Sequence, residues 1–187
     1  MRTGRRLSIR VLGLTLISFL LAGAPATAQT RDLEPAVKAT FVVRFAAFVR
    51  WPPEAFRDAL EPVVICIAGD DGFAALVESA ARGERVGARG LFVRRIGALS
   101  GDAGCHILYA AGTPSQSVRQ MLTAAREAPV LTVTDERQGR DRGMIHFVRE
   151  AGRVRFHVDR DAADAANLDI NSRLLGVALS VRSRRAA

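Results

Sequence analysis

Between residues 63 and 133, short apolar runs alternate with helix-like segments, and this alternation leaves few architectures open to the chain. The first run, Val63-Val64-Ile65-Cys66-Ile67-Ala68, is rich in β-branched residues and bounded by Pro62 and Gly69. A run of that length and composition reads as a strand buried on both faces, as in a parallel sheet. Gly69-Asp70-Asp71-Gly72 turns the chain into a helix over 73–81, and Asp70-Asp71 reads as an Asx turn leading into the helix start, with a carboxylate pair as the other reading. Further strands are predicted at 91–96, from Ile107 to Ala110, and at 130–133, with a helix over 117–126 before the last. Strands alternating with helices predict one three-layer α/β domain with a mostly parallel central sheet.

The C-terminal part changes pattern. Residues 144–148 and 154–158 are two β-rich runs separated by Glu150-Ala151-Gly152-Arg153, a hairpin signal that adds antiparallel strands to the sheet. A short helix over 161–166 and a final helix from Arg173 to about Val181, capped by Asn171 or Ser172, complete the domain. Residues 182–187 read as a disordered basic tail. Ahead of the first strand, Leu33, Val37, Phe41, Phe45 and Phe48 recur at spacings of three and four, predicting a helix with that apolar stripe inward and Lys38, Arg44 and Arg50 away from it. Trp51-Pro52-Pro53 is expected to end this helix.

The first 28 residues read as a secretory signal peptide. Arg2, Arg5, Arg6 and Arg10 precede an apolar run from Val11 to Ala22, and Ala26 and Ala28 supply an A-x-A cleavage site, with the cut after Ala28. The other reading, an uncleaved anchor, needs roughly 20 apolar residues and the run is shorter. The domain then spans residues 29–181, and the expected location is the periplasm. Removing the leader lowers the net charge from +8 to +4, and three of the remaining arginines, Arg182, Arg184 and Arg185, lie in the tail. No concentrated basic face remains to track phosphates, so no nucleic-acid partner is expected.

Export places both cysteines in an oxidising compartment. A bond between Cys66 and Cys105 would close a separation of 39 residues, which in the chain-entropy model stabilises by about 4 kcal/mol. Two buried free thiols are the other reading. No C-x-x-C, G-x-S-x-G or compact histidine spacing is present, so no catalytic residue, metal or cofactor is assigned. Gly112-Thr113-Pro114-Ser115 follows a strand and leads into a helix, which makes Thr113 and Ser115 candidate ligand contacts in a crevice at the C-terminal ends of the strands. Phe48 and Trp51 are candidate partner contacts, as are Asn171 and Arg173 at the last helix, where Arg173 opposes the helix dipole and calls for an acidic or carbonyl partner.

In order along the chain, Lys38-Ala39-Thr40-Phe41 with the following Trp51-Pro52, then Val64 to Phe73, Gly104-Cys105-His106-Ile107-Leu108-Tyr109, Pro129 to Asp135, Gly143 to Phe147 and Ile170-Asn171-Ser172-Arg173-Leu174-Leu175 resemble the YfiR family. The resemblance implies a periplasmic α/β domain, often a homodimer, without catalysis of its own. It implies binding to the periplasmic sensor region of an inner-membrane diguanylate cyclase, which is held inactive, so that cyclic di-GMP and biofilm formation fall. A peptidoglycan-associated outer-membrane lipoprotein is the implied sequestering partner. Cys66 and Cys105 match the family's cysteine pair. A second pair found in some members has no counterpart in residues 144–148. The alternative function is a periplasmic small-ligand sensor using the crevice.

Overall fold

The computed structural model describes residues 27–100, 103–126 and 128–183. The leader assigned to residues 1–28 lies outside these, apart from its last two positions, and so do the last four residues of the expected tail.

The chain opens with helix α1 (Thr27–Phe45) and a two-residue strand β1 (Val49–Arg50). Then follow β2 (Val63–Ala68), α2 (Asp71–Ala81), the short hairpin of β3 (Arg85–Val86) with β4 (Arg89–Ile96), β5 (Ile107–Ala110), α3 (Val118–Ala124) and β6 (Leu131–Asp135). The C-terminal part holds β7 (Ile145–Glu150), β8 (Arg153–Asp159), α4 (Arg160–Ala165), β9 (Asp169–Ile170), α5 (Ser172–Val177) and β10 (Ser180–Arg182). The main sheet has the order β10-β8-β7-β6-β5-β2-β4-β3. Strands β4, β2, β5, β6 and β7 are mutually parallel, and β7–β8 is the antiparallel hairpin foreseen. A separate ribbon pairs β1 with β9.

The alternation of side chains along the strands divides the interior into two layers. Ile65, Ile67, Ile107, Tyr109, Leu131, Val133, Ile145, Phe147, Phe156 and Val158 pack with α1 and α2. Cys66, Ala68, Leu108 and Ala110 pack on the opposite side with Val118 and Met121 of α3. The strands β2, β5 and β6 are thus buried on both faces, which explains their continuous apolar sequences. Three helix starts are fixed by local caps. Asp70 accepts from the Phe73 N–H at 2.8 Å, Ser117 and Gln120 form a reciprocal capping box, and Asn171 accepts from the Arg173 N–H at 2.8 Å.

Four expectations are corrected. First, α1 ends at Phe45, not at Trp51, because Val49 and Arg50 pair with Ile170 and Asp169 instead of continuing the helix. Second, α1 is rotated relative to the expected stripe. Ala39, Val42, Val43, Phe45 and Ala46 are buried, whereas Leu33 and Val37 are 62% and 41% exposed. Third, Lys38, placed on the outer side, is fully buried. Fourth, the last helix stops at Val177, and β10, running into what reads as tail, lies parallel to β8 with Ser180 opposite His157 and Arg182 opposite Asp159. The inner end of α1 is held by an aromatic cluster in which Phe45 meets Phe156 edge-on at 5.4 Å and Phe147 at 5.8 Å.

The β7–β8 turn places Ala151 and Gly152 at φ of 48° and 76°. These are the positive values of a two-residue type I′ hairpin, for which Asn-Gly is the favoured pair. Ala151→Asn is expected to raise stability by about 0.5–1 kcal/mol, less than the full left-handed penalty, since asparagine tolerates that conformation better than alanine. Urea unfolding measures this, and a lower midpoint would contradict it.

Candidate functional site: two stapled ends of the sheet and the surface between them

At the N-terminal end of the parallel strands, β2 and β5 are neighbours with Cys66 beside Leu108. The chain entering β5 brings Cys105 within 5.8 Å, Cα to Cα, of Cys66, and the two form a disulfide. Both sulfurs face the α3 layer, and the Arg94 guanidinium of β4 lies 3.7 and 3.8 Å from them while donating to the Ala103 carbonyl.

His106, next to the bridge, is buried and held at both ring nitrogens. Its Nδ1 accepts from the Val64 N–H at 3.0 Å, which leaves the proton on Nε2 to donate to the Ala55 carbonyl, also at 3.0 Å. The ring stacks on Phe56 at 4.3 Å, and the Arg89 guanidinium covers the Phe56 ring at 3.6 Å. Burial pushes the His106 pKa down, against a smaller upward effect of the Ala55 hydrogen bond. Trp51 completes the group: it is 8% exposed, and its indole N–H donates to the His106 carbonyl at 3.2 Å. This corrects its assignment as an exposed partner contact. The W-P pair anchors the chain between the β1 ribbon and the base of β5.

The opposite end of the sheet carries an ionic centre that sequence reasoning missed. Lys38 Nζ lies 2.7 Å from Asp135 Oδ2 at the end of β6 and 2.5 Å from Glu34 one turn earlier on α1. Arg137 pairs with Asp135 at 3.2 Å, and Arg149 reaches Glu34 at 3.7 Å. Burial raises the Asp135 pKa, but hydrogen bonds from Lys38 and Arg137 outweigh this and hold the carboxyl below its usual range. Beside it, burial and the Asp135 charge push the Tyr109 phenol up, against a smaller downward effect of the Gln138 side chain; its ring packs on Phe73 at 4.2 Å, and its hydroxyl makes no well-formed hydrogen bond among the described residues. One signal was in the sequence: Lys38 is the sole lysine in a chain that otherwise uses arginine.

The expected crevice between the C-terminal ends of β2 and β5 is filled by the backbone itself. A Cβ built on Gly69 would stand 1.7 Å from the Gly112 carbonyl oxygen, and Gly69 has φ +88°. Thr113 and Ser115 direct their hydroxyls to the Gly97 carbonyl at 2.6 and 2.9 Å, so they fasten the loop after β4. Of the other candidates, the structure brings Phe48, Asn171 and Arg173 together. The Asn171 N–H donates to the Phe48 carbonyl at 2.9 Å, beside the exposed Arg50–Asp169 pair at 3.1 Å. Phe48 is half-buried, and Asn171 uses its side chain as the α5 cap. The Arg173 guanidinium is exposed and has no acid or carbonyl partner among the described residues, contrary to expectation.

Two outcomes follow from this chemistry. Lys38→Met is expected to cost about 3 kcal/mol, the lower part of the range for breaking a buried pair because Arg137 still faces Asp135. A loss below about 1 kcal/mol in denaturant unfolding would show that the pair does not fix α1. Unfolded histidine takes up its proton near pH 6.5, whereas burial keeps the folded His106 ring neutral to lower pH. In that window the unfolded state binds more protons, so stability is complete above about pH 6.5 and falls as the pH drops toward the folded value. His106→Gln preserves an acceptor and a donor, and it should flatten this part of the stability–pH profile. An unchanged slope would mean that another group sets it.

Residues 35–179 match the model of the YfiR/HmsC-like family. No curated protein matches the chain. The match runs from the first turns of the core-facing part of α1 to the residue before β10, through the disulfide, the Trp51–His106 group and the Lys38–Asp135 pair. With most of its length covered, the chain belongs to the YfiR/HmsC-like family.

Proposed function

We propose that this protein is an exported, non-catalytic regulator that binds the periplasmic sensor region of an inner-membrane diguanylate cyclase and holds the enzyme inactive. Family membership across residues 35–179 is the observation that carries this reading. The fold is consistent with it in two respects. The buried ionisable groups are engaged in holding the domain together: His106 bridges two backbone groups, His146 meets Thr134 at 2.9 Å, and Lys38 sits between two carboxylates. The outer face of α1 presents Leu33 and Val37 to solvent, and the ribbon end, where Asn171 bonds the Phe48 carbonyl, presents the exposed Arg173. Apolar side chains and an uncommitted guanidinium are the groups that anchor protein interfaces. Export to an oxidising compartment accounts for the Cys66–Cys105 bond.

In this reading the free repressor keeps cyclic di-GMP and biofilm formation low. A peptidoglycan-associated outer-membrane lipoprotein that takes the repressor away releases the cyclase. Self-association into a homodimer would compete for the same exposed faces.

Deleting the gene in a strain with an intact cyclase is expected to raise cellular cyclic di-GMP, and restoring the exported chain should lower it again. An unchanged level on deletion would refute the repressor role. Reducing the protein isolated from the periplasm should slow its migration in denaturing gels, and labelling of two free thiols before reduction would contradict the exported, oxidised state.

A further inference from the structure

The connection from β6 to β7 is unusual for a parallel crossover. Residues 136–144 contain only a single helical turn, Glu136–Gln138, where parallel strands are ordinarily joined through a helix laid on the sheet. The connection is stitched flat to the α3 side. Gly143 donates its N–H to Thr134 Oγ1 at 2.9 Å, and Met144 donates to Thr132 Oγ1 at 3.0 Å. A Cβ on Gly143 would stand 2.7 Å from the Thr132 carbonyl oxygen, so the loop lies as close to β6 as a backbone can. The flank of α3 that a crossover helix would cover therefore stands open, and a groove of ≈ 780 Å³ separates it from α4. That volume is within the roughly 300–1,000 Å³ of small-molecule sites.

The walls of this groove are chemically sorted. Arg119 and Leu122 belong to α3, Arg126 to the turn that follows it, and Ala162 and Ala165 line the α4 side. The acids of the groove are already engaged. Asp141 holds Arg119 at 3.1 Å, and Asp159 caps α4 through one oxygen while taking Arg182 at 3.1 Å with the other. Asp161 has a partner as well. Arg126 and Arg142 have none for their guanidinium groups among the described residues. A mixed groove in which an apolar strip (Leu122, Ala162, Ala165) lies with two uncommitted planar cations suits an oxyanion carried on an apolar body, since guanidinium forks match carboxylate and phosphate geometry.

We propose that the α3–α4 groove is a binding site for a small amphipathic anion, a carboxylate or a phosphate ester, whose charged end meets Arg126 and Arg142 and whose apolar body lies along Leu122, Ala162 and Ala165. The site is at the opposite end of the strands from the filled crevice, and it does not depend on the repressor reading.

Amide NMR titration of the oxidised exported domain with hexanoate, hexyl phosphate, hexanol and inorganic phosphate tests it. One or both of the hexyl anions should shift the Leu122, Arg126 and Arg142 signals saturably with one-to-one stoichiometry, and comparing the two identifies which headgroup fits. Hexanol and inorganic phosphate should respond at least about ten-fold more weakly, as each lacks one half of the recognition. Arg126→Ala/Arg142→Ala should weaken the anions by about ten-fold or more while leaving the remaining spectrum in place. Arg173→Ala, far from the groove in the chain and outside its lining, should change nothing. No saturable shift of those signals with either hexyl anion at about 20 mM would overturn the proposal. So would equal affinity for inorganic phosphate, or undiminished binding by the folded double variant.

Discussion

The buried Lys38–Asp135 pair sets the orientation of α1, and much of the remaining structure follows from that orientation. An ammonium group removed from water must meet carboxylates, and the two within reach are Glu34 on its own helix and Asp135 at the end of β6. With Lys38 turned inward, Ala39, Val42, Val43 and Ala46 are carried against the core, and Phe45 meets Phe147 and Phe156. Leu33 and Val37 are carried outward by the same rotation. A single polar contact thus decides which apolar residues stabilise the fold and which are left for a partner. Glu34 is itself held by Arg137 and Arg149, so the pair belongs to a network binding the helix to two adjacent strands.

The other end of the sheet uses different chemistry for the same purpose. There the disulfide ties the entry of β5 to β2, the His106 ring bridges Val64 to Ala55, and Trp51 binds the chain after the β1 ribbon to the His106 carbonyl. The three contacts converge on two consecutive residues, Cys105 and His106. Closing the loop covalently acts mainly on the unfolded ensemble, whereas the histidine and tryptophan bonds satisfy backbone groups that burial would otherwise leave unpaired. The two contributions are physically distinct and reinforce one another, because the bridge limits the positions from which His106 can dock.

Sequence reasoning reached the sheet because its signals are local. The run from Val63 to Ala68 is apolar on both faces, and Ala151-Gly152 lies between two β-rich segments. Export and separation favour pairing Cys66 with Cys105, and the two are bonded. What remained hidden depends on distant partners. The inward turn of Lys38 is set by a residue 97 positions away, so the periodicity of the helix alone places Phe41 and Phe45 against the core but wrongly puts Leu33 and Val37 inside and Lys38 outside. Trp51 read as a surface aromatic because composition does not distinguish an anchor facing the core from one facing a partner. β10 has one apolar residue, Val181, and owes its conformation to pairing with β8 at the sheet edge. The crevice at the strand ends was a sound topological expectation, since β2 and β5 do mark the point where the connections diverge. A contact between two glycines closes it, at a scale below what strand order can express.

The distribution of polar groups also constrains how such a domain can respond to its surroundings. His106 and His146 are both buried, and burial pushes both pKa values down, with the Arg142 charge adding to the effect at His146. Each ring makes a hydrogen bond to a neighbouring group, and His106 has no ring nitrogen left to take a proton without losing the Val64 bond. Through these two rings, acidification acts on the balance between folded and unfolded states rather than on a charge displayed at the surface. A signal that changes partner affinity without unfolding the domain has to act on groups that are accessible in the folded state. The outer face of α1, the ribbon end around Arg173 and the α3–α4 groove meet that condition; the two histidine centres and the Lys38–Asp135 pair do not.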